Sequence, residues 1–188
     1  MPRFTRAELD GYRGAVVPDL VGDDPRLLFV GINPGLWTAA VQTHFAHPAN
    51  RFYPALLEAG IIERRIDPAA GMTEADRAYF VGRGLGITNL VPRASARADE
   101  LSTAELREGG ARLVERVARW RPAVVAIAGI TAYRAAFGVR GAKVGRQPEP
   151  IADAELWVVP NPSGLNAHDT VATLATAYRA AAEAAGIV

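Results

Sequence analysis

The chain has 188 residues, 49% of them apolar, and a formal net charge of +1. This length suits a single domain spanning 1–188, and the balanced charge excludes a protein that coats nucleic acid by charge alone while leaving room for a local basic face. With no cysteine and three histidines, disulfides, thiol nucleophiles and thiolate metal sites are excluded, and neither a metal nor a cofactor is expected.

The stretch 1–10 scatters its charges and has no apolar run. It reads as neither a signal peptide nor a membrane helix, and the expectation is a cytoplasmic protein with no membrane partner. Residues 27–32 (LLFVGI) read as a buried strand, because the run is short and ends in a Gly-Pro turn. Residues 52–59 read as a helix stopped by Gly60, and 73–81 as a second helix. Residues 86–91 (GITNLV) form a second strand. Ser102-Thr103-Ala104-Glu105 is a capping box that opens a long helix, with Leu106, Leu113, Val117 and Trp120 on one stripe. Gly109 and Gly110 interrupt that helix at roughly 1 kcal/mol each relative to alanine, so a close helix–sheet contact is expected there. Residues 123–128 (AVVAIA) form a third strand, with a helix from about Thr131. Residues 156–160 (LWVVP) form a fourth, and 170–185 a closing amphipathic helix. The segment 139–153 holds Gly141, Gly145, Pro148 and Pro150 and reads as a surface loop.

Strands separated by helices imply a mainly parallel sheet covered on both faces, with ligands bound where loops leave the carboxyl ends of strands. Three loops qualify: 31–50, 89–100 and 161–169. The first opens Gly31-Ile32-Asn33-Pro34-Gly35, a tight turn whose backbone N–H groups can hold an anion or a carbonyl oxygen. It is neither a dinucleotide fingerprint nor a P-loop. The third, Asn161-Pro162-Ser163-Gly164-Leu165-Asn166, is a second asparagine–proline turn at the same rim. Taken singly, each is also ordinary turn chemistry. In the Gly/Pro-bounded stretch 45–52, Phe45 could stack on a base or fold over the sheet edge. His44 and His47 have no paired acid at helical or loop spacing.

The segments GINPG, FAHPANRF, GITNLV and NPSGLN, in that order, resemble the mismatch-specific uracil/thymine-DNA glycosylases of the uracil-DNA glycosylase superfamily. The resemblance runs from about Leu27 to Tyr178. It implies a three-layer α/β/α sandwich with a short, mainly parallel central sheet. It places Asn33 on the water-positioning asparagine, Phe45 on the base-stacking aromatic and Asn89 where the base or its surroundings are reached from the second strand. Asn161 opens the second active-site motif. Ser163, Gly164, Leu165 and Asn166 lie in the loop that enters the duplex, and the N–H groups near Ile32 and Phe45 would face the base's carbonyl oxygens. Trp37 and Thr38 stand where close relatives carry small residues, and Ala167 where some carry an arginine. The implied partner is double-stranded DNA with a mispaired or damaged base, bound by a nucleoid-associated monomer.

The residue types suit base excision. No carboxylate lies in these motifs, although glycosidases ordinarily use two. An asparagine amide can hold a water by donating and accepting. Forgoing a general base costs roughly 10²–10⁴ in rate, which leaves preorganised N–H donors to stabilise the departing base. Leu165 suits a wedge that fills the space of a flipped base. Asn166 could meet the widowed guanine, and Thr38 with Trp37 adds bulk where thymine's methyl would sit. Arg51, Arg93, Arg97, Arg140, Lys143 and Arg146 form a candidate phosphate footprint. Lys143 is the only lysine and lies outside the motifs, so Schiff-base lyase chemistry is not expected. A nucleotide phosphohydrolase of similar fold and a non-catalytic lesion binder are the alternatives. The first lacks a metal-binding carboxylate cluster in these motifs, whereas Asn33 argues only weakly against the second.

Overall fold

The computed structural model describes residues 4–188, so Met1 to Arg3 of the N-terminal stretch lie outside it. Four strands form the body of one sheet: β1 (Leu27–Gly31), β2 (Leu85–Asn89), β3 (Val124–Ala128) and β5 (Glu155–Val159). The order is β2-β1-β3-β5-β4, and the first four strands are parallel. The two-residue β4 (Gly145–Arg146) closes one edge antiparallel to β5. β1, β2 and β3 are buried at every position, as strands covered on both faces must be.

Alternation along β1 sorts its side chains into two cores. Leu27 and Phe29 join α3 (Phe52–Glu58) and α7 (Val171–Ala184), where Phe29, Phe52 and Tyr178 meet. Leu28 and Val30 join α5 (Thr103–Trp120) and α6 (Ile130–Phe137) on the other face. The result is the expected three-layer α/β/α sandwich with a mainly parallel sheet.

Local signals set most element ends. Ser102 caps α5, with Glu105 returning the capping box. Gly60 ends the α3 segment at φ +73°, where a side chain would be strained. In α5, a Cβ at Gly109 would collide with the Leu90 carbonyl just after β2, and one at Gly110 would come within 3.1 Å of the Ala136 carbonyl of α6. The expected helix–sheet contact therefore explains Gly109, while Gly110 serves a helix–helix contact. α4 (Glu74–Gly82) starts one residue late because Thr73 is its cap. Four short elements lie outside the sequence reading: α1 (Arg6–Asp10), α2 (Leu36–Val41), a 3-10 turn (Ala98–Glu100) and β4. β4 falls in the segment expected to be loop.

Candidate active site

The carboxyl ends of β1, β2 and β5 open into one cavity of about 780 Å³. Among its lining are Ile32, Asn33, Thr38, Phe45, Asn89, Asn161, Ser163, Gly164, Leu165 and Asn166, so the ten residues expected to act on the base or enter the duplex meet at one place. The parallel register carries this out. β1, β2 and β5 end on the same side of the sheet, and Gly31 pairs with Asn89.

Asn33 is anchored through its nitrogen. Its Nδ2 donates to Ser95 Oγ (2.8 Å), the Arg93 carbonyl (3.0 Å) and the Pro34 carbonyl (3.3 Å). Its Oδ1 has no protein partner among the described residues and is not sealed from the cavity. The amide can therefore accept a hydrogen bond from a water but has no free N–H with which to donate one. This corrects the expectation that it does both.

Two residues that line the cavity have free backbone donors. Neither the Ile32 nor the Phe45 N–H has an acceptor among the described residues. Phe45 sits at φ +56°, a region that costs a side chain roughly 1–2 kcal/mol, and such strain gathers at functional sites. Its ring stacks on Phe52, with centroids 4.2 Å apart and planes at 26°. One face is thus taken by the core, and the ring also lines the cavity. Gly31 permits this arrangement, because a Cβ there would collide with Asn89 Oδ1 and crowd Phe45 Cζ at 3.2 Å.

Asn89 is 7% exposed, and its Nδ2 lies 3.1 Å from His44 Nδ1. His44 Nε2 lies 2.9 Å from the Pro18 carbonyl. A carbonyl only accepts, so Nε2 carries the proton and Nδ1 accepts from Asn89. Burial lowers the His44 pKa, against the raising effects of the Pro18 carbonyl and Asp19. Burial thus favours the neutral ring.

Asn161 Oδ1 accepts from the Ser163 N–H (3.0 Å), closing the second turn. Leu165 stands 82% exposed at the rim. Gly164 is required by the loop's own packing, since a Cβ there would come within 2.8 Å of Ala49 Cβ. The Asn166 side chain is engaged within the loop. Its Nδ2 donates to the Asn161 carbonyl (2.9 Å) and Asp169 Oδ2 (2.7 Å), and its Oδ1 accepts from the His168 N–H (3.1 Å). Meeting a guanine would require these bonds to break.

The basic residues divide. The Arg51 guanidinium donates to the carbonyls of Ser163 and Asn166 (2.6 Å each) and of Asp169. It braces the 161–169 loop and is not free for phosphate. Arg93, Arg97 and Arg146 pair with Glu105, Asp99 and Glu155. Arg140 and Lys143 have no carboxylate partner among the described residues. Arg6 of α1, which the sequence gave no reason to single out, lines the cavity, as does Ser95, the acceptor for Asn33. Trp37 Nε1 donates to the Ala69 carbonyl, and its ring meets His47 edge-on. Thr38 is 5% exposed, and its Oγ1 accepts from the Ala46 N–H at 3.4 Å.

The model of the uracil DNA glycosylase superfamily matches residues 18–183. The chain belongs to that superfamily. Membership assigns the chain its members' reaction, hydrolysis of an N-glycosidic bond in DNA. The solution NMR structure of a Methanosarcina acetivorans protein named "putative Uracil DNA glycosylase" matches with a TM-score of 0.56 and 17% identity, over 89% of this chain and 98% of that one. At that identity the likeness establishes the glycosylase-like fold alone. Among the described residues no helix is long and apolar enough to cross a membrane, and no group of three or more acidic or histidine side chains could hold a metal.

Proposed function

We propose that this uracil DNA glycosylase superfamily member excises uracil, and more slowly thymine, mispaired with guanine in double-stranded DNA. It acts as a monofunctional enzyme of base excision repair, working as a monomer on cytoplasmic, nucleoid-associated DNA. The observation that carries the reading is a combination of groups around one cavity. Phe45 and Ile32, whose N–H groups have no acceptor among the described residues, line it, and so does Leu165, which stands 82% exposed.

In this reading Leu165 enters the stack as the base leaves it, offsetting part of a flipping cost of a few kcal/mol that is least at a mispair. The base lies on Phe45. The Ile32 and Phe45 N–H groups stabilise negative charge on its carbonyl oxygens as the glycosidic bond breaks. Asn33 Oδ1 accepts a hydrogen of the attacking water and holds its oxygen toward the sugar. With no carboxylate base, the rate depends on how well the base leaves, which favours uracil, whose charge spreads over two carbonyls. Asn166 is engaged in its own loop, so contact with the orphaned guanine falls to the Gly164 N–H and carbonyl and the Leu165 carbonyl, the backbone groups of 163–166 that the loop leaves without a partner among the described residues.

The test is a substrate panel followed by alkali cleavage: uracil and thymine opposite guanine, uracil opposite adenine, and single-stranded uracil. Abasic sites formed without added metal, fastest from uracil opposite guanine, and no borohydride-trapped adduct, are the expected results. Strand cutting before alkali, or no abasic product from any duplex, would overturn the reading.

A further inference from the structure

An asparagine that reads a pyrimidine edge carries an ambiguity of its own. Uracil presents an N3–H donor beside a carbonyl acceptor. Cytosine presents an N3 acceptor beside an amino donor. An amide that rotates by 180° about its last bond exchanges its own donor and acceptor and fits either base. Discrimination therefore requires that the amide be held one way round.

The structure holds it. The His44 Nε2–H is committed to the Pro18 carbonyl at 2.9 Å, which leaves Nδ1 as a bare acceptor facing Asn89 Nδ2 at 3.1 Å. Asn89 Oδ1 has no protein partner among the described residues, lies over Gly31 and is not sealed from the cavity. If the amide turned over, Oδ1 would face the imidazole lone pair, acceptor against acceptor, in a site where both side chains are more than nine-tenths buried. The ring cannot easily turn to relieve the conflict. Turning it would abandon Pro18, and Tyr53 Oη donates to the His44 carbonyl at 3.1 Å, pinning the backbone.

We propose that His44 is a positioning residue that locks the amide of Asn89 with its nitrogen inward and its oxygen toward the cavity, so that the pocket accepts the N3–H of uracil and rejects the N3 lone pair of cytosine. This rests on the reading of Asn89 as a base-contacting residue. His44, 3% exposed among the residues that line the cavity, acts here through Asn89. The lock holds while the ring is neutral, and a proton on Nδ1 would invert it. The charged groups that bear on the ring are Asp19, which favours that proton, and Arg77, which opposes it.

The experiment measures equilibrium binding of duplexes carrying non-cleavable 2′-fluoroarabino uracil or cytosine nucleotides. Each sits opposite an abasic analogue, so that neither base is paired and the uracil-to-cytosine affinity ratio reports the pocket alone. His44→Leu should reduce that ratio by about tenfold or more, as expected when a buried hydrogen bond no longer penalises the wrong orientation. His44→Asn, whose carbonyl can stand in for Nδ1, should restore most of it. The wild-type ratio should hold from pH 8 to 6.5 and fall in more acid solution, whereas the His44→Asn ratio should stay flat. Asn89→Ala separates the two layers. A ratio that survives Asn89→Ala overturns the role of Asn89 itself. A ratio abolished by Asn89→Ala but unchanged in His44→Leu overturns the lock alone. If His44→Leu fails to fold, the contrast in pH profile between wild type and His44→Asn decides, and identical profiles overturn the proposal.

Discussion

The Asn33 amide nitrogen lies 2.8 Å from Ser95 Oγ, so a side chain at the end of β1 is held by the loop that follows β2. Ser95 Oγ itself donates to the Arg97 carbonyl at 2.7 Å, which leaves it only accepting from Asn33. The amide orientation is thereby fixed, with Oδ1 alone free for water. A carboxylate in its place would set an oxygen against the Arg93 and Pro34 carbonyls. Asn33→Asp is therefore expected to be slower than wild type at neutral pH, by about tenfold. Its rate should rise as the pH is lowered and the aspartic acid regains a proton to donate. Single-turnover excision across pH checks this, and a variant faster than wild type at pH 7 would contradict it.

Leu165 and Asn166 should fail differently. Leu165→Ala removes the 82%-exposed side chain and should slow uracil excision from duplexes, most where the pair is strongest, while leaving single strands nearly unaffected. Asn166→Ala breaks three bonds inside the loop and should slow uracil opposite guanine and opposite adenine alike. Equal slowing of single and double strands by Leu165→Ala would show that Leu165 is not a wedge.

Thr38 offers a narrow test of thymine rejection. Thr38→Ser keeps the hydroxyl that accepts from the Ala46 N–H and removes only a methyl. A single methyl is worth about 1–3 kcal/mol at most in such a pocket. The thymine-to-uracil rate ratio opposite guanine should rise by up to about tenfold, read from single-turnover rates on the two mispairs. No change in the ratio would move the methyl's site away from Thr38.

The site's support is acid-sensitive. The Arg93 guanidinium, with help from the Ser102 N–H and hydroxyl, holds the Glu105 carboxyl down at about 2, below its usual value near 4.5. A depressed carboxylate contributes stability above its ordinary pKa and loses it as pH falls through the lowered one. Arg93 also supplies a carbonyl to Asn33. The melting temperature of Glu105→Gln should thus sit slightly below wild type at pH 7, a modest effect for an exposed pair, and the two should converge between about pH 4.5 and 2. Parallel curves over that window would contradict it.

The parallel strands and long helices were legible because buried runs, caps and amphipathic stripes are local signals: LLFVG for β1, Ser102 with Glu105 for α5, the amphipathic pattern of 170–185 for α7. α1, α2 and β4 span five, six and two residues, too few for any periodicity to register. The asparagine–proline turns marked the cavity, but the partners of their side chains were hidden. Ser95 lies 62 residues from Asn33 and Arg51 lies 112 from Ser163, and no spacing in a sequence encodes such pairs. His44 has no paired acid at helical or loop spacing. Its partners are a backbone carbonyl and an amide 45 residues away.

The most direct measurement of the proposed function is single-turnover excision of uracil opposite guanine by wild type and Asn33→Ala, with duplex affinity measured alongside. Asn33→Ala is expected to bind the duplex as wild type does and to release uracil about 10²-fold more slowly or worse. Excision at the wild-type rate by Asn33→Ala would contradict the assignment of the attacking water to Asn33.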